Sequence, residues 1–290
     1  MKIKLFDYHT QALDHGFNKP LRVEETVKAA IDKKLSAICL TDHFPLPNEF
    51  GDPTDEKDCT MNLSRYPTYL GKVKKTKQKF MDKIEILFGA EFDWLPNYQV
   101  WIEQQMRAYM FDYVIGSVHF LGIIKDKNEK RNFIIDYTKE EFEKGLSFHK
   151  DIQLLIEKYY LELQSMARSK LFDSVGHFDL IKKYNDGNLF SQAEQWYKDL
   201  VLKTLDVIAD AKRVLEINTS GWDKVCKEQY PSLWILKEAQ KRNIKITIGS
   251  DAHIPENIGK NLDKAIQIAK LAGYDSLVRF KKRKILEVKI

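Results

Sequence analysis

The segment LRVEETVKAAIDKKLSAICLTDHF, residues 21–44, contains the pattern that decides the fold. In its first half, apolar residues recur at the spacing of one face of a helix, and its second half is a short apolar run that ends in Thr-Asp-His. Helical patterns and β-rich runs alternate in this way along most of the chain, and we predict strands at residues 3–6, 36–40, 84–88, 112–116, 172–176, 213–217 and 245–249. This alternation predicts parallel strands joined by crossover helices, in a doubly wound sheet or a barrel.

The stretches between the predicted strands differ in regularity. Residues 44–65, rich in Pro, Gly and Asp, and residues 121–138 lack clear periodicity, and long loops after strands usually shape a substrate pocket. Residues 139–169 are predicted to be helical, with His149 in mid-helix as an ordinary surface or packing residue, and ILEVKI at 285–290 is predicted to form a terminal strand. The chain contains neither a repeat nor a low-complexity linker, so we expect a single domain over residues 1–290.

The composition is that of a soluble globular protein, with 43% hydrophobic and 31% charged residues. No apolar run approaches the ~18 residues of a membrane span, and the apolar part of MKIKLFDYHT is too short for a signal-peptide core, so we expect a cytoplasmic protein without membrane contact. Three distant cysteines without a CxxC pair argue against disulfides and thiolate zinc sites. The net charge of +5 suits a small phosphorylated substrate; the lysine-rich runs at 72–79 and 281–284 are interpreted as a solvated helix face and a strand flank rather than a nucleic-acid surface. Nothing in the sequence indicates the oligomeric state.

Histidines gather at one topological position. Five of the seven lie within a few residues of the carboxyl end of a predicted strand: His9, His43, His119, His177 and His253. His15 follows in the first loop. Acidic residues share these ends: Asp7, Asp42, Glu91, Asp179, Glu216 and Asp251. Because the carboxyl ends of parallel strands meet on one face, these groups should converge in one pocket. Burying them together is costly unless cations compensate, and imidazole with carboxylate suits Zn, Mn or Fe.

Six segments together resemble the polymerase-and-histidinol-phosphatase (PHP) superfamily: DYHTQALDHG (7–16), LTDHF (40–44), GAEFDW (89–94), GSVHFL (116–121), VGHFDLIKKY (175–184) and GSDAH (249–253). They follow the family's order and cover essentially the whole chain. The resemblance implies a phosphoesterase on a distorted (β/α)7 barrel with its metal site at the carboxyl ends of the strands. Several segments are most similar to the histidinol-phosphatase branch, which implies hydrolysis of L-histidinol phosphate in histidine biosynthesis. The alternatives are another small phosphate ester or nucleotide as substrate, and a binding protein with a decayed metal site.

The resemblance also implies a set of metal ligands for two or three divalent ions. The first ion would be held by His9, Gln11, Glu91 and Asp251, the second by Glu91, His119 and His177, and the third by His15, His43 and His253. Asp251 would also accept the proton of the attacking water, and Asp179 or His253 would protonate the leaving group. Candidates for substrate binding are Asn218 and Ser220 at a strand end. Lys182 and Lys183 are further candidates for the phosphate, although a solvated pair is the favoured interpretation of these two lysines.

Gln11 departs from the family pattern, which has histidine at this position. A carboxamide oxygen is a weaker ligand than imidazole for such metals, so the first site could bind its ion loosely. A second alignment remains open, in which Asp7 and His9 occupy the two positions of the motif. In that alignment Asp7 becomes a ligand and Gln11 does not.

Overall fold

The computed structural model describes residues 4–12, 20–54, 56–126 and 129–290. His15 lies outside the described residues, so its expected role as a ligand has no structural counterpart here. The strands in the described part of the chain are β1 (Phe6–Thr10), β2 (Ala37–Leu40), β3 (Glu85–Asp93), β4 (Tyr113–Ser117), β5 (Phe120–Asp126), β6 (Glu129–Ile134), β7 (Ser174–Val175), β8 (Val214–Asn218), β9 (Ile246–Gly249), β10 (Ser276–Lys281) and β11 (Lys284–Lys289). The helices are α1 (Val23–Asp32), α2 (Tyr66–Lys79), α3 (Gln99–Ala108), α4 (Lys139–His149), α5 (Ile152–Ser169), α6 (Gln195–Ala211), α7 (Leu233–Lys241) and α8 (Leu262–Leu271).

Seven parallel strands form one sheet in the order β1-β2-β3-β4-β7-β8-β9. The sheet curves until its two edges meet: the amide of Asp251, just after β9, donates to the carbonyl of His9 at 2.8 Å, and the amide of Gln11 donates to the carbonyl of Ala252 at 2.8 Å. These bonds close the sheet into a nearly complete barrel, as in the distorted (β/α)7 architecture. The barrel alternative of the sequence prediction is therefore confirmed, and the open doubly wound sheet is wrong.

The helices pack on the outside of the barrel through one apolar face each. In α6, the residues Tyr197, Val201, Leu205 and Ile208 are fully buried, and their spacing of three and four positions places them on one side of the helix. The opposite side carries charged residues. Burying such a face against the sheet stabilises the helix mainly by removing apolar surface from water.

The structure corrects two expectations for the segments between strands. The helix predicted over residues 139–169 is two helices, because Lys150 adopts a left-handed conformation (φ 61°) and Asp151 then caps α5 by accepting a hydrogen bond from the Gln153 amide at 2.7 Å. His149 is thus the last residue of α4 rather than a mid-helix residue. The aperiodic region after β4 forms the antiparallel hairpin β5–β6.

Other expectations are confirmed. Residues 44–62 form a long loop, apart from residue 55, which is not described, and the terminal segment forms β11, paired antiparallel with β10. Arg283, in the turn of that hairpin, binds the carboxylate of Asp173 at 3.0 Å beside β7. Among the described residues, β1 begins at Phe6, after Lys4 and Leu5, and extends to Thr10, so it carries His9 within its length. No helix in the described ranges combines the length and apolar character needed to cross a membrane.

Candidate metal centre

The strand ends bring the predicted ligands together at one mouth of the barrel. His9 lies in β1 and Glu91 lies in β3. His43, His119 and His177 come directly after β2, β4 and β7, and Asp251 and His253 come directly after β9. Gly249 permits the approach of β9 to β1, because a Cβ at this position would lie 2.3 Å from the Cβ of His9 and 2.4 Å from a Glu216 oxygen. The expected convergence of histidines and carboxylates is present in the structure.

Glu91 lies at the centre of this group and is only 1% exposed. Its Oε2 atom is 3.0 Å from Nε2 of His9 and 3.3 Å from Nδ1 of His43. Its Oε1 atom is 3.0 Å from Nε2 of His177 and accepts a hydrogen bond from the Ser117 hydroxyl at 2.5 Å. One carboxylate therefore faces imidazole nitrogens with both of its oxygens, which is the arrangement required of a ligand shared between two cations.

The side chains of His119 and His177 point at each other as well as at Glu91. Their Nε2 atoms are 3.2 Å apart, and Nε2 of His119 is 3.6 Å from Oε1 of Glu91. The ligand atoms of these three buried residues all lie within 4.8 Å of one another, and so do those of His43, Asp93 and His119. Nitrogen and oxygen atoms directed at a common point, without thiolate, fit a divalent ion such as Zn, Mn or Fe.

Two carboxylates, Asp93 and Glu216, orient imidazole rings of the cluster. Asp93 accepts from Nδ1 of His119 at 2.6 Å, and Glu216 accepts from Nδ1 of His9 at 2.7 Å. In each case the Nδ1 proton is held by a carboxylate, so the Nε2 lone pair is directed into the cluster, and such partners raise the basicity of a ligating imidazole. Glu216 also accepts from the backbone amide of His177 at 3.0 Å. Glu216 therefore positions both His9 and His177.

The charges of these groups shift one another's pKa values. Burial disfavours protonation of His119, but the carboxylates of Asp136 and Asp93 outweigh burial and raise its pKa to about 10. Burial likewise opposes protonation of His9, and Glu216 and Glu91 raise its pKa well above its ordinary value. Burial would raise the pKa of Glu91, but the charges of His43 and His9 hold it well below its usual range. The carboxylates thus require nearby positive charge, which a divalent cation supplies by displacing protons.

Asp251 contacts the cluster from the segment after β9, at the seam where the two edges of the sheet meet. Its backbone is in the left-handed region (φ 54°), and such conformations concentrate at functional sites. Its Oδ1 atom is 3.4 Å from Nε2 of His9, and its Oδ2 atom accepts from Asn218 at 3.2 Å and from Ser220 at 3.3 Å. Asn218 and Ser220 therefore hold Asp251, a contact that the expectation of direct substrate binding did not include.

Two other expected site residues lie elsewhere. The ammonium group of Lys182 is buried 2.8 Å from the carboxylates of both Asp179 and Glu228, and Asp179 also accepts from the Ser232 amide at 3.0 Å. This set braces the segment before α7 against the turn after β7. The expected roles of Lys182 at the substrate and of Asp179 as a proton donor are not supported by these positions. The neighbouring Lys183 does line the cavity.

The contacts of Asp7 in β1 and of Gln11 directly after it distinguish the two alignments of the first motif. Both oxygens of Asp7 accept backbone hydrogen bonds, from Ser250 and from Gly259 at 2.9 Å each, which anchors the segment after β9. Gln11 is 2% exposed, and its side-chain nitrogen has no hydrogen-bond partner among the described residues. The Asp7 alignment is therefore less consistent with the structure than the alignment that places Gln11 in the motif.

The metal centre opens into a cavity of about 520 Å³. Sequence reasoning did not identify Asp93 and Asp136, which lie on its wall. Asp93 could have been found, since it follows Glu91 by two positions in β3, and alternate residues of a strand face the same side. Asp136 follows the hairpin β5–β6, which the sequence did not predict.

We expect Asp93→Asn to weaken metal binding by about 10-fold to 100-fold, because His119 loses the carboxylate that fixes its orientation. Competition with a chromophoric chelator measures the effect. Asp112→Asn is the matched control, since Asp112 accepts hydrogen bonds from the backbone amides of Phe88 and Lys282, away from the cluster. Unchanged affinity in Asp93→Asn, or an equal loss in Asp112→Asn, would contradict the orienting role.

Comparison with known proteins agrees with the geometry. Residues 7–220 match the PHP domain family, and residues 235–261 match the PHP-associated family. The chain is 32% identical over 277 residues to a probable histidinol-phosphatase of Deinococcus radiodurans, with 96% of each chain covered. It is 30% identical to the histidinol-phosphatase of Bacillus subtilis, covering 87% of this chain and 93% of that protein.

A solved structure is similar to this one over almost the whole length of both chains. It is the histidinol phosphate phosphatase of Lactococcus lactis in complex with zinc, L-histidinol and phosphate, which is 25% identical with a TM-score of 0.74 and covers 98% of this chain and 99% of that one. The sequence motifs, the barrel, the cluster around Glu91 and these relatives agree. The chain belongs to the PHP superfamily, in its histidinol-phosphatase branch.

Proposed function

We propose that this protein is a metal-dependent phosphatase that hydrolyses L-histidinol phosphate to L-histidinol and phosphate. The observation that carries the proposal is Glu91, whose two oxygens face imidazoles from different strands at the base of a cavity. The relatives in D. radiodurans and B. subtilis, and the L. lactis complex with L-histidinol and phosphate, support the choice of substrate.

Two or three divalent ions, such as Zn, Mn or Fe, would be held by this chain. His9, Glu91 and Asp251 would hold the first with Gln11, and Glu91, His119 and His177 the second, while His43, His253 and His15 would hold a third. When bound, such ions polarise phosphoryl oxygens and lower the pKa of water.

Side chains of this protein would carry out both proton transfers, from the attacking water and to the leaving group. Asp251 would accept the proton that the attacking water loses; in support, Asn218 and Ser220 hold its Oδ2 atom while Oδ1 faces the cluster. His253 lines the cavity and is partly exposed, with Nδ1 2.9 Å from the carbonyl of Asp251. In the arrangement with two ions, where His253 is not a ligand of a third ion, it would protonate the alkoxide as the phosphorus–oxygen ester bond breaks. Lys183 lines the same wall, but its ammonium group is 3.2 Å from the carboxylate of Asp136, which balances much of its charge.

A substrate panel tests the proposal. Protein purified without chelator is analysed for metals, and phosphate release is measured with L-histidinol phosphate, nucleoside monophosphates and single-stranded DNA. We expect kcat/KM for L-histidinol phosphate to exceed the others by about 100-fold or more, because a site built to bind a polar group discriminates strongly against ligands without it. A preference for a nucleotide would reject the substrate, and metal-loaded protein that releases no phosphate would reject the activity.

We predict that Gln11→His raises metal affinity and kcat/KM by about 10-fold, since imidazole is the stronger ligand for these metals. Gln11→Ala is the control for the loss of the amide alone. Metal content after dialysis and phosphate release measure the effect. If Gln11→His changes neither, Gln11 does not face an ion. Loss of metal from Asp7→Asn at unchanged stability would instead favour the Asp7 alignment.

A further inference from the structure

Three carboxylates line the cavity apart from those assigned to the metal centre and its orienting partner, and two of them are neutralised within the chain. Asp136 is 3.2 Å from the ammonium group of Lys183, and Asp223 is 2.7 Å from that of Lys260. Asp58 differs, because no ion pair to it exists in the part of the chain that the structure describes. A buried carboxylate without a cation is unfavourable unless hydrogen-bond donors compensate for its lost hydration.

Asp58 is held firmly in the long loop after β2. It is 9% exposed, and its backbone amide donates to the Thr54 hydroxyl at 3.0 Å. The hydroxyl of Tyr137 lies 3.4 Å from its Oδ1 atom, a long hydrogen bond that leaves most of the carboxylate's accepting capacity unused. Tyr137 is 47% exposed, so Asp58 lies beside the rim of the cavity, whereas Glu91 is at its base.

The cavity that Asp58 lines also has apolar and aromatic side chains on its wall. Phe120 and Ile134, which pair across the hairpin β5–β6, line the cavity together with Tyr137. The loop is fixed to this hairpin, since the Asn132 side chain donates to the Phe50 carbonyl at 2.6 Å and the rings of Phe50 and Phe120 are 4.8 Å apart. A carboxylate at the edge of an apolar, aromatic wall suits a planar ring that carries an N–H group.

We propose that Asp58 accepts a hydrogen bond from a ring N–H of the substrate's imidazole, while Phe120, Ile134 and Tyr137 contact the ring. The inference rests on the proposed function and names the residue that selects this substrate among phosphomonoesters. The phosphate end lies at the metal centre, and the ring, at the opposite end of the substrate, reaches the rim.

Calorimetric binding of two amino alcohols to the metal-loaded protein tests the subsite without turnover. L-histidinol carries the imidazole, and L-phenylalaninol replaces it with a phenyl ring that has no N–H. We expect Asp58→Asn to weaken L-histidinol binding by about 10-fold to 100-fold, the range for a hydrogen bond to a charged group, and to change L-phenylalaninol binding by less than about twofold. Asparagine keeps an acceptor for Tyr137, so the loop is retained.

Asp223→Asn is the matched control, a cavity carboxylate already paired with Lys260, and it should preserve the ratio of the two affinities. If the natural protein does not prefer L-histidinol, or if Asp58→Asn weakens both ligands equally, the subsite is overturned. Phosphate release from L-histidinol phosphate is measured in parallel. Its absence, together with an Asp58-dependent preference for L-histidinol, rejects the proposed function and leaves the subsite standing.

Discussion

Glu91→Gln should lower kcat/KM for phosphate release by about 10³-fold or more, equivalent to roughly 4 kcal/mol of transition-state stabilisation. The carboxylate lies between His9, His43 and His177, with both oxygens engaged. Glutamine has nearly the same shape but replaces one of the two oxygens with an NH₂ group and removes the negative charge. It can therefore neither balance two cations nor accept from imidazoles on both sides. We expect fewer divalent ions per chain by elemental analysis, with the circular dichroism spectrum unchanged.

The control for this substitution is Glu162→Gln. Glu162 is a half-buried glutamate that accepts a hydrogen bond from the indole of Trp94 at 3.2 Å and touches none of the candidate ligands. It should retain metal content and activity within a few-fold. Full metal content in Glu91→Gln together with more than a tenth of the activity would remove Glu91 from the centre of the site.

Removal of the divalent ions should reduce phosphate release to below about 1% of the loaded protein, because several kcal/mol of charge stabilisation is lost. It should also make stability depend on pH. The pKa of His119 is raised to about 10 in the metal-free protein, from an ordinary value of 6.5. Protonation of His119 thus stabilises the fold fully below pH 6.5, and this stabilisation is lost as the pH rises towards 10.

Thermal unfolding of chelated and zinc-loaded protein between pH 6.5 and 10 measures this dependence. The chelated protein should lose stability steadily across the interval, and the loaded protein should lose less, since the ions replace the protons that balance Glu91, Asp93 and Asp136. Restoration of activity by added Zn, Mn or Fe is the control for damage by the chelator. Activity that survives exhaustive chelation would contradict a metal-dependent reaction.

The convergence of ligands could be predicted from the sequence because topology alone determines it. In parallel strands every carboxyl end lies on the same face, so the positions of His43, His119 and His177 after apolar runs were sufficient. The seven strand–helix units left a doubly wound sheet and a barrel as alternatives, and the resemblance to the PHP superfamily favoured the barrel. The match of six short motifs in order then indicated the family.

The details that sequence reasoning missed depend on long-range pairing. Lys182 is buried because Glu228 and Ser232, far along the chain, complete its hydrogen bonds. No local sequence pattern predicts such distant partners. The break after His149 depends on one left-handed residue, Lys150. The hairpin β5–β6 has no strong local periodicity and is stabilised by packing against the loop after β2.

The closure of the barrel has a consequence for biosynthesis. His9 and Asp251 are neighbours across the seam although almost the entire chain separates them. During translation the amino-terminal ligands emerge first, and His9 cannot contact Asp251 until the last parallel strand has left the ribosome. A nascent chain halted before Gly249 would carry Glu91, His119 and His177 but lack Asp251 and His253, so binding of the first and third ions belongs to the final stage of folding.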